Sequence, residues 1–318
     1  MKNFYRVIST ILSVGIIAST VWVFFNVQTV LDWWVLRGYE PSPAIAQLSE
    51  EASFNEEGEK LFYVHDPELL TKGDFTGKCS LTEETIVLGC YISRDKIYVF
   101  DVEDERLEGV EQVTAAHEML HAAYDRLGDD ERQKLDRILV DFYEASNNER
   151  LIKTIESYRD RDPSVVPNEL HSILATEIRD LPPALEEHYS RYFEDRLKVV
   201  GFAEAYEDEF LKLETQIEAY DVQLKELSVV ISDNENQIVL LGAALEREQD
   251  FLESLRSNPS AYNDAVPGFN QKVREYNALL NLLRADIAEY NEIVQARNKI
   301  AVEEQGLIDA IDTRALEL

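Results

Sequence analysis

One short segment of the chain combines residue types that can bind a metal ion and move a proton. His117 and His121 are four residues apart, and Glu118 directly follows the first of them. On a helix, positions four apart lie on the same face, so both imidazoles can reach one Zn²⁺ ion. Glu118 would then lie beside the ion, where a carboxylate can take a proton from a metal-activated water molecule. The segment therefore predicts a catalytic zinc site.

The surrounding residues predict the helix that this spacing requires. Apolar side chains recur at intervals of three and four from Val110 to Leu127, with His117 in the same series, and Gly128 favours an end there. Three segments before this helix are rich in β-branched and aromatic residues and predict strands: 61–65, 85–92 and 96–100. A turn at 93–95 would join the last two strands into a hairpin.

This combination resembles the zincin metallopeptidases, in which a strand hairpin precedes the active-site helix and its edge strand pairs with an extended substrate. The resemblance rests mainly on the sequence HEMLH at 117–121 and covers about residues 60–200. It implies zinc-dependent hydrolysis of peptide bonds, with Glu118 as the catalytic residue and a peptide or protein as the substrate. Residues 85–100 would supply the edge strand.

The third zinc ligand stays open between two glutamates. The metzincin form HExxHxxGxxH is absent, because Tyr124 and Leu127 stand in the places of its glycine and third histidine. Gluzincins take a glutamate from a later helix, and residues 167–183 predict such a helix. Glu169 is favoured because Asn-Glu-x-x-Ser around it is similar to the gluzincin pattern. Glu177 is the alternative, as a ligand or as a residue that orients a ligand histidine.

The gluzincin resemblance also bears on residues around this helix. A histidine or tyrosine in that group stabilises the developing oxyanion, and His188 and Tyr189 are candidates, although a surface pair is the simpler interpretation. His171 is turned ~200° away from Glu169 on a helix and is expected at the surface. Gluzincins often have aspartate four residues after the ligand glutamate, whereas this chain has Ile173.

The N-terminal region predicts a single-pass membrane anchor. Val7–Phe25 contains no charged residue, and its length as a helix, ~28 Å, matches a bilayer core. Lys2 and Arg6 precede it, so the positive-inside rule keeps the N-terminus in the cytoplasm and places the main body outside the cell membrane. A cleaved signal peptide is the alternative. Three tryptophans suit the membrane interface: Trp22, Trp33 and Trp34.

If the main body is exported, the only two cysteines of the chain can form a disulfide. Cys79 and Cys90 would meet oxidising conditions in many cells, and a bridge between them would close a short loop. Two unpaired buried thiols are the alternative interpretation. The sequence therefore predicts, but does not require, a disulfide in front of the active-site helix.

The charge of the chain is strongly negative. Its 31 Lys and Arg residues against 62 Asp and Glu residues give a formal net charge of −31. Residues 1–37 carry +2, which leaves −33 on the remainder. This sign excludes a protein that must neutralise nucleic-acid phosphates. It also means that anionic lipid would repel the exported body, so the anchor must hold that body at the membrane.

The C-terminal third has the period of a coiled coil. Apolar residues alternate at intervals of three and four over 210–255 and again over 269–315, and turn-forming residues separate the two series at 257–268. The matched arms predict an antiparallel helical hairpin ~70 Å long, with Asn234 opposite Tyr290 or Asn291. We expect this hairpin to act as a structural spacer, or as an arm for self-association or for a protein partner. A gate for substrate or partner is the less favoured interpretation.

Together these features predict an α+β, mostly helical protein: an N-terminal transmembrane helix, a small zincin-like domain with a short sheet, and a C-terminal antiparallel coiled-coil hairpin. The expected boundaries are 1–37 for the anchor, 38–60 for a stalk, with an introductory helix as the alternative, 61–200 for the metallopeptidase domain and 201–318 for the hairpin. The alternative function is a non-catalytic envelope scaffold that works through the hairpin and keeps a structural or vestigial metal site.

Overall fold

The computed structural model describes residues 2–79, 86–93 and 96–314, with no account of the side chains of 2–11. The protein is mostly helical, with one small sheet, in agreement with the predicted class. Twelve α-helices are described in this part of the chain: α1 Lys2–Phe25, α2 Val27–Leu36, α3 Pro43–Glu51, α4 Glu56–Val64, α5 Lys72–Phe75, α6 Val110–Asp125, α7 Asp129–Ala145, α8 Glu149–Arg161, α9 Val166–Glu177, α10 Pro183–Tyr189, α11 Arg196–Ser254 and α12 Pro259–Ile311.

The chain divides into two compact units. The first comprises Met1–Glu207 with Ala310–Leu318, and the second comprises Asp208–Asp309. The C-terminal end returns to the first unit, where the buried Thr313 hydroxyl donates to the Val87 carbonyl at 2.7 Å. The first unit is therefore wider than the predicted domain of 61–200 and contains the end of the predicted hairpin.

The sheet of the first unit has three strands in the order β1-β3-β2. Their bounds are β1 Glu68–Leu70, β2 Gly89–Tyr91 and β3 Ile97–Phe100. β2 and β3 are antiparallel, as the predicted hairpin requires, whereas β1 pairs with β3 in parallel and was not predicted. Within the described residues, β2 pairs only with β3 and is therefore an edge strand. Arg94 and Asp95 of the predicted turn lie outside the described residues.

Helix α6 forms the centre of the first unit. Its alanines Ala115, Ala116 and Ala122 are completely buried, and small side chains allow other elements to approach closely. Helix α9 packs along α6, and strands β2 and β3 pack against it as well. Gly109 precedes α6 with φ of +100°, and a Cβ there would come within 2.6 Å of Phe202. Glycine thus fits both the left-handed backbone and the close contact.

Two predictions for the region before the sheet are wrong. Residues 38–60 are not a stalk but contain α3 and the start of α4, which agrees with the alternative of an introductory helix. Ile45 and Leu48 of α3, and Phe54 between the two helices, are buried in the main core. The predicted strand at 61–65 falls mostly in α4, whose first turn is capped by the Asn55 side chain. Acidic residues fill that first turn, which also favours a helix start.

The second unit is a helical hairpin formed by parts of α11 and α12, as predicted. Asp221 pairs with Arg297, and Asn234 donates to Asp286 at 2.8 Å, so the two arms run antiparallel. Asn234 thus lies about one turn away from its expected partners, Tyr290 or Asn291. The reason is that α12 already begins at Pro259, so most of the predicted break at 257–268 is helical and the register moves.

The N-terminal helices bear on the predicted anchor. Within the described residues, no single helix is long and apolar enough to cross a membrane. Leu12–Phe25 and Val27–Leu36 meet the requirement only as a pair, and the two are bent by 84°. Because side-chain positions for 7–11 lie outside the described part, the transmembrane anchor stays a prediction.

Candidate metal centre

Helix α6 places His117 and His121 on the side that faces α9. His117 and His121 are both half-buried, and their ring centroids are 4.7 Å apart with the planes at 82°. Glu118 is buried, with 6% of its surface exposed. The one-turn spacing therefore brings two imidazoles together, as the sequence predicts.

Helix α9 brings Glu169 to the same place. Its Oε2 lies 3.5 Å from His117 Nε2, and its Oε1 lies 3.9 Å from His121 Nε2. One donor atom from each of the three residues can be chosen so that all lie within 4.8 Å of one another. Among the described residues, this is the one group of histidine, cysteine and acidic side chains close enough to hold a metal ion.

The electrostatics of Glu169 fit a cation site. Its Oε2 atom is buried and has no hydrogen-bond partner, which is costly unless a cation or donor satisfies it. Burial pushes the pKa of Glu169 upward, but the attraction of His117 and His121 outweighs it and lowers the pKa. Two imidazole nitrogens and one carboxylate oxygen are a donor set that suits Zn²⁺ and leaves a fourth position for water or substrate. The residues therefore fit the predicted metal.

A second layer of contacts orients His121. Its Nδ1 lies 3.1 Å from Asn168 Oδ1 and 3.3 Å from Ser172 Oγ. A proton on Nδ1 donated to Asn168 leaves the lone pair on Nε2, the nitrogen that faces Glu169. The Asn-Glu-x-x-Ser sequence thus supplies the ligand Glu169 together with Asn168 and Ser172, which position the ligand His121. These two residues take the orienting role for which gluzincins often have an aspartate at the position of Ile173.

Glu118 combines burial with a backbone contact to the edge strand. Burial is the largest cause that raises its pKa, to about 7, while His121 and the Tyr91 amide act in the opposite direction. Strand β2 comes very close, since a Cβ on Gly89 would be 2.9 Å from Glu118 Cγ and 2.5 Å from Thr114 Cγ2. Gly89 therefore allows the strand to reach the carboxylate.

Tyr158 of α8 is a site residue that the sequence did not reveal. It lies close enough to Glu169 to favour the ionised carboxylate and to contribute to its lowered pKa. Burial raises the pKa of Tyr158, and the charges of Glu169 and Glu118 raise it further, so it stays a protonated donor. No local spacing links 158 to 169, because the contact depends on how α8 packs against α9.

The alternative ligand Glu177 lies elsewhere. Its carboxylate pairs with Arg150, which also contacts Glu207 at 2.5 Å. Glu177 thus belongs to an ion-pair group at the end of α9 and is absent from the three-residue cluster around His117. The structure brings Glu169, and not Glu177, to the two histidines.

The predicted oxyanion pair is engaged in another cluster. The Tyr189 hydroxyl is buried and donates to the His171 carbonyl at 2.8 Å. His188 Nε2 lies 2.9 Å from His171 Nε2. His171 is completely buried, so its expected surface position is wrong; it is enclosed by the rings of Tyr124, His188 and Tyr189. These contacts support a structural role for the pair.

The predicted disulfide between Cys79 and Cys90 is present. Cys90 lies in β2, next to Gly89, and the bridge ties this edge strand to the segment after α5.

Comparison of the chain with protein-family models, with curated proteins and with solved structures found no match. The argument for function therefore depends on the geometry of the site.

Proposed function

We propose that this protein is a membrane-anchored zinc metallopeptidase. The observation that carries the proposal is the approach of His117, His121 and Glu169, whose donor atoms lie within 4.8 Å of one another beside the buried Glu118. Two histidines one turn apart, an adjacent glutamate and a carboxylate from a later helix are the parts that this chemistry needs. The three ligands come from two helices that pack together, so the site is held by the core of the first unit.

Zn²⁺ held by His117, His121 and Glu169 would lower the pKa of a water molecule and polarise a peptide carbonyl. Glu118 takes a proton from the attacking water and returns it to the leaving amine. A carboxyl whose pKa lies near 7 can do both at neutral pH. Tyr158 lies near both Glu169 and Glu118, and its hydroxyl can donate to the developing oxyanion.

The edge strand β2 gives a place for an extended substrate. The Leu88 carbonyl accepts from Phe100 on the β3 side. Because successive backbone groups of a strand point in opposite directions, those of Gly89 face away from β3, on the same side as the Tyr91 amide that contacts Glu118. A peptide can add to such an edge through main-chain hydrogen bonds. This agrees with a peptide or protein as the substrate.

The competing function is a non-catalytic scaffold, which the long α11–α12 hairpin favours. A structural zinc site usually has four protein ligands, whereas a catalytic one keeps an open position. The described cluster supplies three donors. That number supports hydrolysis over a structural metal.

The test is peptide hydrolysis by the full chain in detergent after loading with Zn²⁺. Glu118→Gln should retain zinc and lower kcat by about 10²–10⁴-fold, the usual size of a lost acid–base contribution. Glu108→Gln, an exposed glutamate just before α6, is the matched control and should keep wild-type activity. Zinc binding without hydrolysis of a broad peptide pool would support the scaffold, and Glu118→Gln at wild-type rate would refute the mechanism.

A further inference from the structure

Helix α2 has one face that is firmly attached to the first unit. Asp32 is 1% exposed, although it lies in a mostly apolar helix. Arg126 donates to both of its carboxylate oxygens, at 2.8 and 3.1 Å, and Lys60 lies 3.5 Å away. Gln28 donates to the same carboxylate at 2.9 Å. A bidentate arginine fixes orientation as well as distance.

This attachment leads directly to the candidate metal centre. Arg126 is the residue that ends α6, five positions after His121. Lys60 lies in α4, which packs against α6. Asp32 therefore links α2 to the C-terminal end of the helix that carries HEMLH.

The opposite face of α2 is apolar and exposed. Val27, Leu31 and Trp34 are spaced by four and three residues, so they form one stripe along the helix. Their exposed fractions are 48%, 52% and 68%. Trp33 is 60% exposed but lies ~100° from Trp34 around the helix, outside the stripe. Contiguous exposed apolar patches of this kind mark a surface that binds something.

Two neighbouring features indicate what covers the stripe. α2 follows the apolar helix α1 at a bend of 84°, so α2 would run nearly along the membrane surface if α1 crosses the bilayer. A basic residue, Arg37, also directly follows α2, in a protein of net charge −31. Its guanidinium lies 5.4 Å from the centre of the Trp33 ring. The basic residues on the attached face are paired instead: Lys60 and Arg126 with Asp32, and Arg191 with Glu131.

We propose that α2 is an interfacial helix that lies in the headgroup region of the bilayer and holds the peptidase unit in one orientation. Val27, Leu31 and Trp34 enter the acyl boundary, and Arg37 meets lipid phosphates. The Asp32–Arg126 pair fixes α6 relative to α2, and therefore relative to the membrane surface. The proposal rests on the membrane anchor of the proposed function and adds an orientation to it.

The experiment uses the fact that the chain has three tryptophans, all in this region. Three full-length variants each keep one of Trp22, Trp33 and Trp34, with phenylalanine at the other two positions. They are reconstituted in phosphatidylcholine vesicles containing a minority of phosphatidylglycerol. The phosphatidylcholine is brominated either near the headgroup or near the end of the acyl chain. Fluorescence quenching by each lipid, and by acrylamide in the water, gives the depth of each ring.

The proposal predicts that Trp34 is quenched several-fold more by the shallow bromines than by the deep ones and is shielded from acrylamide. A helix continuing straight from α1 would place Trp34 ~18 Å beyond Trp22 along the axis. If Trp34 is open to acrylamide while Trp22 is still quenched by lipid, the interfacial placement is overturned and the anchor stands. A Trp22 that no bromolipid quenches would refute the anchor itself.

A matched pair of substitutions tests the stripe. Leu31→Glu in the variant that keeps Trp34 should shift its emission to the red and increase acrylamide quenching several-fold. Leu240→Glu, at an exposed leucine of the second unit, should change neither. Equal behaviour of the two variants would overturn the proposal. A Trp34 that is shielded from acrylamide but not quenched by any bromolipid would also overturn it, because a protein partner or a second copy would then cover the face.

Discussion

At the level of single residues, the contacts of His121 decide which of its nitrogens is available to a metal ion. Asn168 Oδ1 accepts from Nδ1, and the Ser172 hydroxyl lies slightly farther from the same atom. Neither residue is a ligand, yet both restrict the imidazole to one tautomer and one orientation. The His121 side chain therefore loses its conformational entropy when the chain folds, and not when a metal ion binds.

Asn168→Ala should therefore weaken Zn²⁺ binding by about 10–100-fold, the usual cost of removing such a partner. Ser172→Ala should have a smaller effect, since its contact at 3.3 Å is the longer of the two. Competition with a fluorescent chelator gives both dissociation constants. Wild-type affinity in Asn168→Ala would show that His121 needs no such support.

The histidine pair beside the site predicts a pH dependence of stability. Burial lowers the pKa of His188 to about 4, and the charge of Arg191 acts in the same direction. An unfolded histidine titrates near 6.5, so between these two values the unfolded chain binds more protons. This contribution to stability is complete above about pH 7 and is lost as the pH falls through 6.5 towards 4.

His188→Gln should remove that dependence and keep a donor for His171 Nε2. The difference in unfolding free energy between pH 7.5 and 5 should be about 2 kcal/mol larger in the wild type than in the variant. Urea unfolding at both pH values, in the absence of metal, measures it. Parallel curves for the two proteins would contradict a neutral, buried His188.

At the level of elements, Arg196 holds the end of the helix that carries Glu169. Its guanidinium is buried and donates to the carbonyls of Ala175, Ile178 and Arg179, and it also pairs with Glu186. The last carbonyls of a helix have no partner within the helix, so this arginine satisfies groups that would otherwise be unpaired in the core.

Arg196→Met should lower the unfolding free energy by about 3–5 kcal/mol, because Glu186 and several buried carbonyls lose their donor. Arg179→Ala is the matched control. Arg179 and its partner Glu204 are each 47% exposed, and the loss of such a surface pair should have no measurable effect. Chemical denaturation of the two variants decides, and equal stability would contradict the role given to Arg196.

The elements differ in how far the sequence determines them. The period of α6 and the spacing within HEMLH predict both the helix and the two histidines, since these depend on local geometry. Strand β1 escapes notice because three residues are too few to show a pattern. The α4 region contains aromatic residues typical of strands, but Asn55 and the acidic first turn outweigh them. Tyr158 depends on packing between helices, which no local pattern contains.

At the level of the whole molecule, the two units should respond differently to metal. The ligands lie in the first unit, whereas Asp208–Asp309 contains none of them. A ligand that binds only the folded state stabilises that state by about 2.7 kcal/mol at 100 times its dissociation constant. Zn²⁺ should therefore raise one thermal transition of the full chain and leave the other unchanged.

Calorimetry of the full chain with and without chelator tests this, together with the isolated segment 208–309. The segment should be helical, and its melting should match the transition that does not respond to zinc. A zinc-dependent shift of both transitions would mean that the two units unfold together.

The central claim is that Glu169 completes a zinc site with His117 and His121. Equilibrium dialysis against Zn²⁺ of the wild type, Glu169→Gln and Glu177→Gln tests it most directly. The account predicts one bound ion in the wild type and in Glu177→Gln, and at least tenfold weaker binding in Glu169→Gln, on the order of the loss of one ligand. Equal affinity in all three proteins, or no zinc in the wild type, would contradict it.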